Sequence, residues 1–323
     1  MQVFGVTPDG QEVHSFELVG GGLTARVLTW GGVLQDLRLA GLPYSLVLGF
    51  PDLNSYLHSK AYIGANVGRF ANRIAQGRAN IAGQTYQLDT NFLGKHLLHG
   101  GTAGADRQVW TVTAHTENTL SLQLVLADGH MGFPGEIKVE LIYRLLPAAR
   151  LEVEFIATTS AATLCNFAHH SYFNLDGAGN IQNHQLQIAA NHYLPVDAEA
   201  IPTGEIAAVA NTAFDFRELK PINWQQAQYD HNFCTADSKQ VLRPVAYLQG
   251  QTGVRMTLAT TEPGLQFYDG KYLDGGFAAH AGLALEPQAW PDAPNHAHFP
   301  SAELLPGQVY RQVTHYRFSK VAI

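Results

Sequence analysis

Apolar and polar positions alternate over long stretches of the chain. Leu120, Leu122, Leu124 and Leu126 share one parity; Val139, Leu141, Tyr143 and Leu145 interleave with Lys138, Glu140 and Arg144; Leu151, Val153 and Phe155 interleave with Glu152 and Glu154. A period of two places each apolar set on one face of an extended segment, so each run predicts a half-buried strand. Further runs at 186–188, 254–258 and 310–318 predict more strands, separated by turn-rich pieces such as Ala127-Asp128-Gly129 and Asp176-Gly177-Ala178-Gly179-Asn180. Helical periodicity is confined to a turn or two at 53–57 and 223–228. The expected fold is therefore all-β and antiparallel, built of meanders and hairpins. So many strands bury one face each most simply as a large sandwich of two packed sheets with a concave outer surface free for a site. No linker-like run marks a boundary, so residues 1–323 are read as a single domain.

Within this pattern, residues 166–175 are unusual in carrying two adjacent imidazoles, His169 and His170. If the segment is extended, Phe167, His169, Ser171 and Phe173 share one face, and Ala168, His170, Tyr172 and Asn174 share the other. The second face can exchange protons and hold hydroxyl groups. His169, flanked by phenylalanines, reads as a buried structural residue behind the site.

Composition narrows the partners. With 27 acidic against 20 basic residues, a net charge of −7 offers no field for phosphate backbones or anionic lipid, so neither nucleic acid nor a membrane is expected. The N-terminal residues lack the basic and apolar regions of a leader, and no stretch reaches the length of a membrane span, so the expected location is cytoplasmic. Cys165 and Cys234 are too few for a disulfide framework and read as reduced, structural thiols.

Several polar residues stand out against apolar surroundings. Arg73 follows Asn72 in a stretch dense in Gly, Asn and Arg, where a guanidinium can fork two hydrogen bonds to hydroxyls or a carboxylate, or simply make a structural ion pair. His99 precedes two glycines. Glu286 ends an apolar run, where desolvation would raise its pKa toward that of a useful base; a carboxylate satisfied by backbone amides is an equal alternative. Asp230 and Gln266 lie between aromatics, and Trp290, Tyr172 and Phe267 are candidates for stacking on a sugar ring. His99, His170 and Glu286 also compose a two-histidine, one-carboxylate set that a metal would accept. His296 and His298 with Glu303 imitate a cupin metal motif weakly.

Taken in order, 66–74 (Asn-Val-Gly-Arg-Phe-Ala-Asn-Arg-Ile), Leu98-His99-Gly100-Gly101, 170–175 (His-Ser-Tyr-Phe-Asn-Leu), Asp230-His231, Gln266-Phe267-Tyr268 and Leu285-Glu286-Pro287-Gln288 resemble the aldose 1-epimerase (galactose mutarotase) family over nearly the whole chain. The resemblance implies a β-supersandwich, no metal or other cofactor, and interconversion of the α and β anomers of free aldoses such as galactose and glucose. It implies Glu286 as general base and His170 as general acid, with Arg73, Asn72, His99, Asp230 and Gln266 binding the monosaccharide. Ordinary pKa values, about 4.3 for Glu and about 6.5 for His, lead to the expectation of an ionised Glu and a useful fraction of imidazolium near neutrality. Where the family usually has Asn before the catalytic His, this chain has His169. Two other readings are open to these residues: a metal-dependent β-sandwich enzyme and a non-catalytic sugar-binding module.

Overall fold

The computed structural model describes residues 1–321. Its largest sheet has nine antiparallel strands, and the strongest alternating runs lie at its centre: Thr119–Leu126, Ile137–Leu146 and Arg150–Thr159 follow one another, and Tyr310–Lys320 and Val254–Thr260 continue the order. A six-stranded sheet runs Tyr172–Phe173, Leu283–Gln288, Gly264–Tyr268, Asp230–Cys234, His192–Tyr193 and Ala207–Ala208. A four-stranded sheet forms from the N-terminal 39 residues.

The alternation decides which faces meet. Leu141 pairs with Phe155 across the large sheet, and both join one buried cluster with Phe267, Leu283 and Leu285 of the six-stranded sheet. The two sheets thus pack their apolar faces together. On the strand Leu283–Gln288, residues Leu283 and Leu285 enter this core, and alternation turns Ala284, Glu286 and Gln288 to the opposite face. That outward face carries the site.

Two local expectations change. Residues 223–228 do not form a helix; Gln226 closes a single turn onto Asn223, and Trp224 stacks on His280 at 4.2 Å, which holds the segment flat against the fold. The helix Leu53–His58 does form, capped by the Asp52 carboxylate accepting from the Ser55 amide. The segment 166–175 is two short strands, Ala168–His169 against Asn66–Val67 and Tyr172–Phe173 against Leu283–Gln288, because His170 and Ser171 carry the chain from one pairing to the next. Among the described residues no helix is long and apolar enough to cross a membrane.

Candidate functional site

A cavity of about 590 Å³ opens over the outward face of the six-stranded sheet, within the size range of small-molecule sites. Each residue reaches it for a local reason. His170 is fixed at the crossing between strands, where its amide donates to Ala65 O at 2.8 Å and its carbonyl accepts from Gly64 N at 3.1 Å. Glu286 lies on the neighbouring sheet, directly opposite Gln266. Asn72 and His99 clasp each other: the His99 amide donates to Asn72 O at 3.0 Å, and the Asn72 amide donates to His99 Nδ1, also at 3.0 Å. Gly100 allows this clasp to sit close, since a Cβ there would meet Gly68 O at 2.1 Å.

Glu286 is 2% exposed, and among the described residues no hydrogen-bond donor reaches its Oε2; the polar group facing it is His170 Nε2, at 3.6 Å. The alternative of a carboxylate satisfied by backbone amides is therefore not what the fold builds. Burial pushes the Glu286 carboxyl well above the usual carboxylate range, and the negative Asp230 adds to this while Arg73 opposes it. Burial lowers His170 to about 4, against a smaller upward pull from its own backbone carbonyl and from Asp230. The expectation of an ordinary imidazolium fraction at neutrality is thus corrected: desolvation drives both groups toward their uncharged forms, and together they hold one proton.

Arg73 and Asp230 form the second feature. Arg73 NH2 donates to Asp230 Oδ2 at 3.1 Å, Gln266 Nε2 donates to Asp230 Oδ1 at 2.6 Å, and the guanidinium lies 4.8 Å above the Phe92 ring. Arg73, Asn72, His99 and Asp230 line the cavity with Glu286 and His170, whereas Gln266 stands behind Asp230 and lines a smaller side pocket. Arg69, from the same Arg-rich stretch, is spent on structure, clamping the carbonyls of Leu126, Ala127, Pro134 and Gly135.

Tyr172 lines the cavity as expected of a stacking residue, but Phe267 and Trp290 do not. Phe267 falls on the core parity of its strand, and Trp290 packs with Leu194 and Phe299. The other aromatic walls are Tyr62, Phe92, Tyr268 and Tyr272, none of them among the stacking candidates expected from the sequence. Alternation marks Tyr268, two residues beyond Gln266 on the same strand face; Tyr62 and Phe92 sit in irregular segments without a period to mark them. Asn174 turns away, donating to Ala281 O at 2.8 Å.

His169 points behind the site. Its Nδ1 donates to Asn66 Oδ1 at 3.0 Å and its Nε2 accepts from the Ser171 hydroxyl at 2.7 Å, with Tyr143 against it, and burial lowers its pKa to about 3. His296 meets Asp292 at 3.2 Å and His298 meets Gly204 O at 2.8 Å, both outside the residues lining the cavity.

The ligand atoms of His99, His170 and Glu286 lie within 4.8 Å of one another. The donor chemistry nevertheless opposes a resident metal. The His99 Nδ1 lone pair is taken by the Asn72 amide, and burial holds the ring neutral, so its proton sits on Nε2 and no lone pair is left for an ion.

The family model described as aldose 1-epimerase matches residues 14–317. Galactose mutarotase of Mus musculus is 40% identical over 336 residues, covering 98% of this chain and 97% of the mouse protein. Aldose 1-epimerase of Escherichia coli K12 is 34% identical, covering 97% of each. Among solved structures, an aldose epimerase homologue from C. elegans superposes with a TM-score of 0.89 at 31% identity, covering 96% of this chain and 100% of that one. Fold and site together define a carbohydrate isomerase of the mutarotase class. The chain belongs to the aldose 1-epimerase family.

Proposed function

We propose that this protein interconverts the α and β anomers of free aldoses such as galactose and glucose through Glu286 and His170, acting within one domain, 1–323, in the cytoplasm. Glu286 takes the proton of the anomeric hydroxyl while His170 gives one to the ring oxygen. The C1–O5 bond breaks, the carbonyl forms, rotation about C1–C2 presents its other face, and ring closure returns both protons. The pair carries one proton before and after, so neither cofactor nor net proton flow is needed.

The surroundings support those roles. Positive Arg73 favours the Glu286 anion and negative Asp230 favours the His170 cation, which offsets part of the burial that opposes the charge-separated form needed for ring opening. Asp230, Arg73, Asn72 and the Nε2–H of His99 offer acceptors and donors to sugar hydroxyls, with Gln266 bracing Asp230, and the tyrosine walls suit the C–H faces of a pyranose. The free thiols Cys165 and Cys234 agree with a reducing compartment.

The observation that carries this reading is a buried carboxyl with no structural partner facing a buried imidazole. A binding module without turnover has no use for such a group. Exchange NMR on equilibrated galactose, glucose and xylose tests it: added protein should speed exchange between the two anomeric C1–H signals of at least one sugar. No acceleration with any of them would refute the proposal.

A further inference from the structure

Beside the main cavity, and sharing Asn72, Arg73 and Asp230 with it, lies a pocket of about 10 Å³ walled by Leu194, Val196 and Pro202. That is room for about one oxygen atom of water or hydroxyl size. Two buried N–H donors on its lining residues lack partners among the described residues: Arg73 Nε and Asn232 Nδ2.

Both are left over for structural reasons. Asn232 is 2% exposed and sits directly opposite Gln266 in the antiparallel pair. Its Oδ1 accepts from Gln288 Nε2 at 3.3 Å, and Gln288 Nε2 also reaches Gln266 Oε1 at 3.5 Å, an arrangement of the three amides that leaves Asn232 Nδ2 unused. Arg73 spends NH2 on Asp230, and Nε makes no such bond. Asp230, which also lines the pocket, is an acceptor. Arg73 and Asn232 bring unused donors and Asp230 an acceptor to the lining of this one-oxygen volume, beside the amides of Asn72 and Gln266, and such a set complements a hydroxyl, which accepts through its lone pairs and donates its single proton.

We infer that this pocket is a one-oxygen subsite occupied by a hydroxyl of the bound sugar, and that Asn232 is a specificity-determining residue. Resting on the proposed mutarotation, the inference extends it to a residue that lines no part of the main cavity. Because Arg73 and Asp230 belong to both spaces, a hydroxyl entering the pocket stays attached to a ring held in the cavity.

The test is kinetic, using galactose and its 2-, 3-, 4- and 6-deoxy analogues with wild type and Asn232→Leu, a variant of similar volume without donors. For galactose, Asn232→Leu should raise KM roughly tenfold, the scale of one lost hydrogen bond, with kcat within about twofold. For one deoxy sugar, lacking the hydroxyl that fills the pocket, the two proteins should have equal KM. An unchanged KM for galactose overturns the subsite, and so does an equal rise across every analogue, which is the signature of a resident water or of altered packing. If thermal unfolding shows that Asn232→Leu does not fold, Asn232→Asp, which keeps the shape and removes the donors, must give the same pattern. Wild type inactive on every sugar overturns the parent mutarotase reading; wild type active with indistinguishable variants overturns the subsite alone.

Discussion

Glu286 Oε2 and His170 Nε2 face each other across 3.6 Å, both side chains buried, one from the second strand of the six-stranded sheet and the other from the crossing that leads into its edge strand. Neither Glu286 Oε2 nor His170 Nδ1 has a hydrogen-bond partner among the described residues. A fold that leaves polar atoms buried and unsatisfied sacrifices about 1–3 kcal/mol for each, and such sites concentrate where chemistry is done. The relationship makes the pair one titrating unit.

Activity requires one proton on the pair. As pH falls through about 4, His170 gains a proton while Glu286 keeps its own, and activity is lost; as pH rises past the raised Glu286 range, the shared proton leaves and activity is lost again. The dependence of kcat/KM on pH should therefore show an acid limb near pH 4 and an alkaline limb far above the ordinary carboxylate range. An acid limb centred near the ordinary histidine value of about 6.5 contradicts it.

Arg73→Lys should raise KM for the preferred sugar roughly tenfold while changing kcat less, because a lysine ammonium replaces the planar guanidinium whose NH2 bonds Asp230 and loses the stacking over Phe92. Steady-state kinetics separates the two constants. A loss confined to kcat would move Arg73 out of sugar binding.

His169→Phe should reduce stability by about 1–3 kcal/mol, since it strands the Asn66 carboxamide oxygen and the Ser171 hydroxyl in the interior. Denaturant unfolding measures the loss. The acid limb of the pH profile should stay in place, because His169 is uncharged above about pH 3. A shift of that limb by more than about one unit would place His169 in the acid–base unit.

Far from the site, Glu152 accepts from His315 Nε2 at 2.6 Å and pairs with Arg144, and these partners hold its carboxyl near 2, against an ordinary value of 4.5. The sign follows from a depressed folded-state pKa: the contribution is full above pH 4.5 and disappears as pH falls toward 2. Glu152→Gln should therefore flatten stability against pH in that window, read as a smaller drop in unfolding temperature between pH 5 and pH 2.5. An unchanged slope would show that the pairing contributes nothing.

Much of this was legible in the chain, for identifiable reasons. The period of two at 119–126, 137–146 and 150–159 is strong because those strands are long and have one buried face each. Parity also separated His170 from His169, even though the segment is broken into two short strands. What could not be read was pairing. That Gln266 lies opposite both Asn232 and Glu286, and so stands behind Asp230, depends on strands separated by dozens of residues. The stacking roles suggested for Phe267 and Trp290 failed for the same reason: an aromatic residue beside a polar one belongs to core or cavity according to which sheet face it joins. The proton state of the pair was likewise hidden, since burial is a property of the assembled sheets.

The central claim, that Glu286 and His170 perform the proton transfers, is tested most directly by polarimetry of freshly dissolved α-D-galactose with wild type and Glu286→Gln, backed by equilibrium sugar binding to both. The account predicts rapid mutarotation by wild type, a loss of roughly 10²–10⁴-fold in kcat for Glu286→Gln, and sugar binding retained. Equal rates for the two proteins would contradict it.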